Sequence, residues 1–176
     1  HKVVLPFSIE TSSDGTSPLM GDGAMRVATV YACVRLIADT IGTLPIHVKR
    51  RMPDGSRITI YDHPVARLLN RPSPLIGRID LLRAIISSEE LRGNGYGYIS
   101  KRDAKGYPTR IDYYLPDEVS IMAGNEDVYY DIAPLGTTVT SCDVIHFRGH
   151  TDDGIKGISP ISLLRDDIEN CRNTTC

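Results

Sequence analysis

The segment from Val144 to Pro160 reads VIHFRGHTDDGIKGISP and predicts a strand, a shaped loop and the start of a helix. Its first residues are mostly apolar, which is typical of a short strand. Glycines then follow at Gly149, Gly154 and Gly157, where they supply backbone angles that other residues reach only with strain. Ser159-Pro160 is a helix-opening pair. We expect the loop, through Gly154 and Gly157, to set the direction of the helix more than the stability of the domain.

Three further segments accompany this loop along the chain. They are residues 30–46 (VYACVRLIADTIGTLPI), residues 62–74 (DHPVARLLNRPSP) and residues 93–99 (GNGYGYI). In this order and at this spacing, the four segments resemble the HK97-like family of phage portal proteins, over about residues 27–164. The resemblance implies that the chain is the amino-terminal, wing-forming fragment of a longer portal protein, which continues into stem, clip and crown regions.

The resemblance also implies a function, partners and a location. A portal protein is a structural head-tail connector that forms a twelve-fold homo-oligomeric ring at one capsid vertex. Double-stranded DNA passes through this ring during packaging and ejection. The implied protein partners are the major capsid protein, the packaging terminase and head-tail adaptor proteins. The expected location is the portal vertex of the virion, and the host cytoplasm during assembly.

Candidate interface and structural residues follow from the same segments. They are Tyr31, Arg35, Gly93, Asn94, Gly95, Tyr96, Gly149, Gly154, Gly157, Ser159 and Pro160. Four strand tyrosines, Tyr113, Tyr114, Tyr129 and Tyr130, fit either contacts with a neighbouring subunit or ordinary packing within the sheet.

Hydrophobic periodicity predicts an α+β domain with helices on one side of a mostly antiparallel sheet. We divide the chain into a flexible arm (1–23), a wing domain (24–158) and the start of a helix toward the stem (159–176). The first long helix, about residues 25–43, has an apolar stripe that includes Val34, Ile37 and Leu44. Asp62 is expected to cap a short helix, and a second long helix should cover residues 78–91. Five strands are expected within 96–147, after a hairpin at residues 46–61.

Composition is that of an ordinary soluble domain, with 41% hydrophobic and 24% charged residues and a net charge of −2. A protein that grips nucleic acid tightly needs a concentrated basic face. Here the only basic run is Lys49-Arg50-Arg51, with Arg57 nearby, in the predicted hairpin. Such charges also keep an exposed strand edge from pairing with other chains. No apolar run is long enough to predict a membrane span, and no signal peptide or membrane partner is expected.

Catalytic signatures are missing from the sequence. It has no nucleophile elbow, no P-loop and no HExxH motif, so we expect no enzyme activity and no cofactor. The cysteines lack zinc-site spacing, and we expect Cys33 and Cys142 to be small buried side chains without a disulfide.

Two alternative functions remain open at this point. His146, His150 and Asp152 could form the metal site of a hydrolase, although a strand and a glycine separate the histidines. Tyr96 and Tyr98 partly match an RNA-recognition strand, on which exposed aromatic rings stack against bases. If they are not exposed, we expect both tyrosines to pack against a helix, with the glycines between them allowing close approach.

Overall fold

The computed structural model describes residues 28–124 and 127–164. The helices are α1 (Ala28–Thr43), α2 (Pro64–Asn70), α3 (Arg78–Arg92) and α4 (Pro160–Leu163). The strands are β1 (Lys49–Arg51), β2 (Arg57–Thr59), β3 (Asn94–Arg102), β4 (Pro108–Tyr114), β5 (Val119–Ala123), β6 (Val128–Ile132), β7 (Thr137–Thr140) and β8 (Val144–Arg148). The predicted arm, the helix before residue 28 and the helix beyond residue 164 lie outside the described residues.

The strands form three antiparallel sheets. A central sheet has the order β4-β3-β8, a second sheet has the order β5-β6-β7, and β1 and β2 form a two-stranded sheet. Helices α2 and α3 cover one face of the central sheet, and the second sheet packs on the other. The predicted α+β class, with helices on one side of the sheet, is confirmed.

Strand β3 decides how these layers meet, because successive side chains of a strand point to opposite faces. Gly95 and Gly97 face α3, and a Cβ atom at Gly95 would lie 2.3 Å from the carbonyl oxygen of Ile85. Tyr96 and Tyr98 point the other way, into the core shared with the second sheet. The expected close approach of a helix to these glycines is confirmed, but the expected packing of the tyrosines against a helix is wrong.

Two apolar clusters fill the spaces between the layers. The cluster under the helices is centred on Leu68, Leu81, Ile85 and Ile111. The cluster between the sheets is centred on Tyr96, Tyr114, Val119, Tyr130 and Ile132. Tyr114 and Tyr130 are therefore core residues, whereas Tyr129 is 38% exposed.

Helix α1 packs on α3 along a narrow stripe of small side chains, Val34, Ala38 and Gly42. A Cβ atom at Gly42 would lie 3.3 Å from the carbonyl oxygen of Ile79, so the two helices approach closely there. An ion pair of 2.6 Å between Asp39 and Arg83 also links them. The stripe is narrower than the sequence predicts, because among the described residues α1 packs mainly on α3.

Several sequence predictions are wrong at this level. Ile37 is 36% exposed and Leu44 is 53% exposed, so neither belongs to the buried stripe. Cys33, on the outer side of α1, and Cys142, in a turn, are both exposed.

Two local predictions also fail. The nitrogen Nδ1 of His63, rather than Asp62, caps α2 by accepting from the amide of Val65 at 3.2 Å. The polar strand β7 was not predicted, because threonine-rich segments lack the apolar alternation that marks a strand.

Helix lengths bear on membrane association. Among the described residues, no helix combines the length and the apolar character needed to cross a membrane.

Candidate functional site

The side chain of Asn94 lies at the junction between α3 and β3 and is 2% exposed. Its amide nitrogen donates to the carbonyl oxygens of Arg92 (3.1 Å) and Gly157 (2.8 Å). Its oxygen accepts from the backbone amide of Gly157 (2.8 Å) and contacts Nε2 of His146 (3.0 Å). The amide thus makes the four hydrogen bonds that an asparagine side chain can form. We call Asn94, Tyr130, His146 and Gly157 the Asn94 hub.

His146 connects the hub to the second sheet. Since the Asn94 oxygen is an acceptor, Nε2 of His146 must carry the proton and donate it. Nδ1 is then free to accept from the hydroxyl of Tyr130, which lies 3.2 Å away. Burial, with a smaller contribution from the positive charge of Arg148, lowers the pKa of His146 to about 4. The neutral ring is therefore the form that holds the hub together at neutral pH.

Backbone contacts hold the loop against the same junction. The amide of Gly149 donates to the carbonyl oxygen of Gly93 at 2.9 Å. Gly93 ends α3 with a φ of 73°, in the left-handed region that favours glycine. A Cβ atom at Gly157 would lie 1.8 Å from the carbonyl oxygen of Gly93, and one at Gly93 would lie 2.3 Å from that of Ile158. Gly93 and Gly157 are both required because backbone lies where a side chain would project.

Ser159 fixes the beginning of α4. Its hydroxyl donates to the carbonyl oxygen of Leu91 at 2.7 Å and accepts from the amide of Ser162 at 3.3 Å. One side chain therefore caps α4 and joins it to the last turn of α3. Pro160 occupies the first helical position, where its missing N–H costs nothing.

The middle of the loop is organised separately. One carboxylate oxygen of Asp153 accepts from the amides of Ile155 (2.7 Å) and Lys156 (2.9 Å) and from the hydroxyl of Thr151 (3.0 Å). The hydrogen bonds from the two backbone amides and from the hydroxyl lower the pKa of Asp153 to about 2. Gly154 has a φ of 72°, but its Cβ position faces open space. The tip of the loop is thus a turn outside the hub, and the guanidinium of Arg148 at the end of β8 donates to the carbonyl oxygen of Gly154.

The structure brings together most of the candidate residues. Gly93, Asn94, Gly149, Gly157 and Ser159 meet at one junction, with Tyr96 in contact beside His146, at 4.5 Å between ring centres. The expectation that the loop sets geometry more than stability is contradicted at Gly157, because a side chain there would collide with the carbonyl oxygen of Gly93.

Tyr31 and Arg35 lie apart from the hub, on α1. The Arg35 guanidinium lies 6.0 Å from the centre of the Tyr31 ring, and its Nε is 3.4 Å from the carboxylate of Asp39. These contacts join residues of α1 to one another. Its role as an interface site stays a prediction.

The alternative functions lack the geometry they need. His146 uses both ring nitrogens inside the hub, whereas the side chains of His150 and Asp152 are each 83% exposed and lie 3.9 Å apart. Among the described residues, no group of three or more His, Cys, Asp or Glu side chains could hold a metal ion. Tyr96 is 2% exposed, so its ring is not available for a base to stack upon.

Sequence reasoning missed the structural roles of His146 and Tyr130. The signal that could have located His146 is the alternation of side chains between the two sheet faces along β3 and β8. Pairing of Tyr96 with His146 places Asn94, Tyr96 and His146 on one face of the central sheet. The partner Tyr130 belongs to another sheet, and its position cannot be read from either strand.

The family model described as phage portal protein matches residues 28–175. A "Probable portal protein" of Streptomyces phage phiC31 is 31% identical over 159 residues, which cover 82% of this chain and 34% of that protein. The chain therefore spans about a third of the length of this relative.

Two solved structures share the fold. The crystal structure of an HK97 family phage portal protein from Corynebacterium diphtheriae matches with a TM-score of 0.63 and 15% identity, over 89% of this chain and 48% of that one. A chain in the neck of a native gene transfer agent particle, computed with C12 symmetry, matches with a TM-score of 0.59 and 20% identity, over 85% of this chain and 41% of that one. With the match of the family model to most of its length, this chain belongs to the phage portal protein family.

Proposed function

We propose that this chain is the wing region of a portal subunit, and that the complete gene product forms a ring at one capsid vertex. The observation that carries the proposal is the family match over residues 28–175 together with the shared helix-sheet-sheet fold. Double-stranded DNA would pass through the ring during packaging and ejection. The division into an arm (1–23), a wing domain (24–158) and a helix toward the stem (159–176) belongs to the same proposal.

A cyclic ring requires that one face of each subunit meet a different face of the next, at an angle that closes the circle. A rigid subunit suits this requirement, because a small angular error repeats at every interface. The Asn94 hub supports rigidity: it ties the loop that precedes α4 to the ends of α3 and β3. In the proposed ring, the loop would hold α4 at a fixed angle to the wing.

Twelve copies are the proposed stoichiometry, supported by the C12 symmetry of the gene transfer agent neck that shares this fold. The proposed partners are double-stranded DNA, the major capsid protein, the packaging terminase and head-tail adaptor proteins. The virion vertex is the proposed location, reached after assembly in the host cytoplasm. The role is structural rather than enzymatic, so purified protein should hydrolyse neither ATP nor nucleic acid.

Electron microscopy of the complete gene product tests this proposal. Negatively stained particles should be closed rings with a central channel, and class averages should show the rotational symmetry. Analytical ultracentrifugation should find one large species at micromolar concentration. A monomer that stays monomeric across this range would contradict the proposed ring.

A further inference from the structure

The β1–β2 hairpin projects from the wing with a strongly basic face. Its register pairs Lys49 with Thr59 and Arg51 with Arg57. Because side chains alternate between faces, Lys49, Arg51 and Arg57 share one face, and Arg50 and Ile58 lie on the other. All three basic residues are exposed. The hairpin therefore presents three positive charges on one side of a two-stranded ribbon.

Elsewhere in the described chain, five arginines have a carboxylate partner: Arg35, Arg83, Arg92, Arg102 and Arg110. Arg102 pairs with Asp143 at 2.7 Å, and Arg110 pairs with Asp112 at 2.8 Å. Within residues 28–124 and 127–164, no such ion pair involves the three basic residues of the hairpin face. The nearby carboxylate of Asp54 instead accepts from the amide and hydroxyl of Ser56 within the turn. The charge of the hairpin face is thus left for an outside partner.

This arrangement has an energetic cost in the isolated wing. Arg51 and Arg57 are direct cross-strand neighbours, and like charges in such positions destabilise a sheet. Lys49 is two residues from Arg51 on the same face, which adds to the repulsion. The attraction of an anionic partner to these side chains would offset their mutual repulsion.

Two anionic partners are available to a portal ring: DNA and the acidic surface of the next subunit. Several carboxylates of the second half of the chain are already engaged, including Asp117 with Arg92 and Asp153 with its own loop. Side chains on one strand face are about 6.8 Å apart, and a two-stranded ribbon is narrow enough for the major groove of DNA, which is about 12 Å wide. Guanidinium groups also match phosphate oxygens in geometry. These points favour DNA.

We propose that the hairpin face formed by Lys49, Arg51 and Arg57 binds the phosphate backbone of duplex DNA. The inference rests on the proposed function, since it names a contact between the portal subunit and its DNA. Three phosphate contacts give a slope of log K against log salt concentration of about −2.7. Binding by one hairpin is therefore weak and lost at high salt, which allows DNA to move. A ring that presents many hairpins multiplies such weak contacts.

The test uses the complete gene product in two charge-reversal variants. Arg51→Glu with Arg57→Glu reverses two of the three hairpin charges, and Lys101→Glu with Lys105→Glu makes the same charge change on the exposed β3–β4 hairpin. Binding to a fluorescent 30-base-pair duplex is measured by anisotropy from 50 to 200 mM salt. We expect the first variant to bind about tenfold more weakly or worse, with a slope reduced by about 1.8 for each engaged hairpin. The second variant should bind like the wild type.

Ring formation is scored on the same samples by electron microscopy, which separates this inference from the proposed function. If both variants form normal rings and bind DNA equally well, the inference is overturned and the proposed ring function is unaffected. Loss of rings in the Arg51/Arg57 variant alone would show that the hairpin contacts a neighbouring subunit. This result would also overturn the inference. Failure of the wild type to form rings would count against the proposed function instead.

Discussion

Replacement of Asn94 by alanine removes four hydrogen bonds from a site that is 2% exposed. A typical intramolecular hydrogen bond contributes about 1 kcal/mol, which gives a loss of about 4 kcal/mol. The estimate does not rely on apolar contacts, because the lost side chain is a small amide. Both backbone groups of Gly157 also lose a buried partner, which has its own penalty. A loss this large is unusual for one substitution and points to a broken polar network.

Urea denaturation of the 176-residue chain measures this loss, with far-UV circular dichroism as the signal because the sequence contains no tryptophan. Asn70→Ala is the matched control, since Asn70 is exposed at the end of α2, and it should change stability by less than about 0.5 kcal/mol. Asn94→Asp keeps the volume but cannot donate to the carbonyl oxygens of Arg92 and Gly157, so it should also destabilise. An Asn94→Ala loss below about 1 kcal/mol would refute the reasoning, whereas a chain unfolded without urea agrees with it.

Three further predictions follow from burial, backbone contact and pH. Because burial lowers the pKa of His146 to about 4, the unfolded chain takes up a proton that the folded chain does not, so stability should fall as pH decreases from about 6.5 toward 4. Urea titrations at pH 7.5 and 5 should show this loss in the wild type and a smaller loss in His146→Gln; equal losses would contradict it. Gly157→Ala should severely destabilise the chain, since its Cβ atom would lie 1.8 Å from a backbone oxygen, whereas Gly154→Ala should lose about 1 kcal/mol through its φ of 72°. Thermal melts check this pair, and a similar loss in both would show that the collision is relieved. Val34→Asp should lower the melting temperature strongly and Ile37→Asp little, because Val34 is 6% exposed and Ile37 is 36% exposed; equal shifts would place Ile37 in the core.

Most of the fold could be predicted where the sequence has strong periodicity. The bounds of α3 agree with the expected segment to within a residue, because Gly93 marks its end clearly. The apolar stripe of α1 was too wide, since periodicity shows which side of a helix is apolar and not how much of it a neighbour covers. Strand β7 was not predicted, because its threonines do not form an apolar pattern.

The candidate site was only partly predictable. Glycines in the loop and at the end of α3 marked a tight backbone, and the structure places Gly149 and Gly157 against Gly93. The four hydrogen bonds of Asn94 could not be foreseen, because its partner Gly157 lies 63 residues away along the chain. For the same reason His146 looked like a free ligand, although its partners occupy both ring nitrogens.

The loop is tied at both ends to the four residues from Leu91 to Asn94. Where the loop begins, the amide of Gly149 donates to the carbonyl oxygen of Gly93. Where the loop ends, Asn94 donates to the carbonyl oxygen of Gly157, and the hydroxyl of Ser159 donates to that of Leu91. A segment fixed at both ends to one junction cannot swing as a hinge, so its exposed tip can vary while the direction of α4 stays constant. In a proposed ring, every subunit would then present α4 at the same angle. Because a closed ring repeats one interface, the fixed angle of α4 matters more for assembly than the identity of the residues at the tip of the loop.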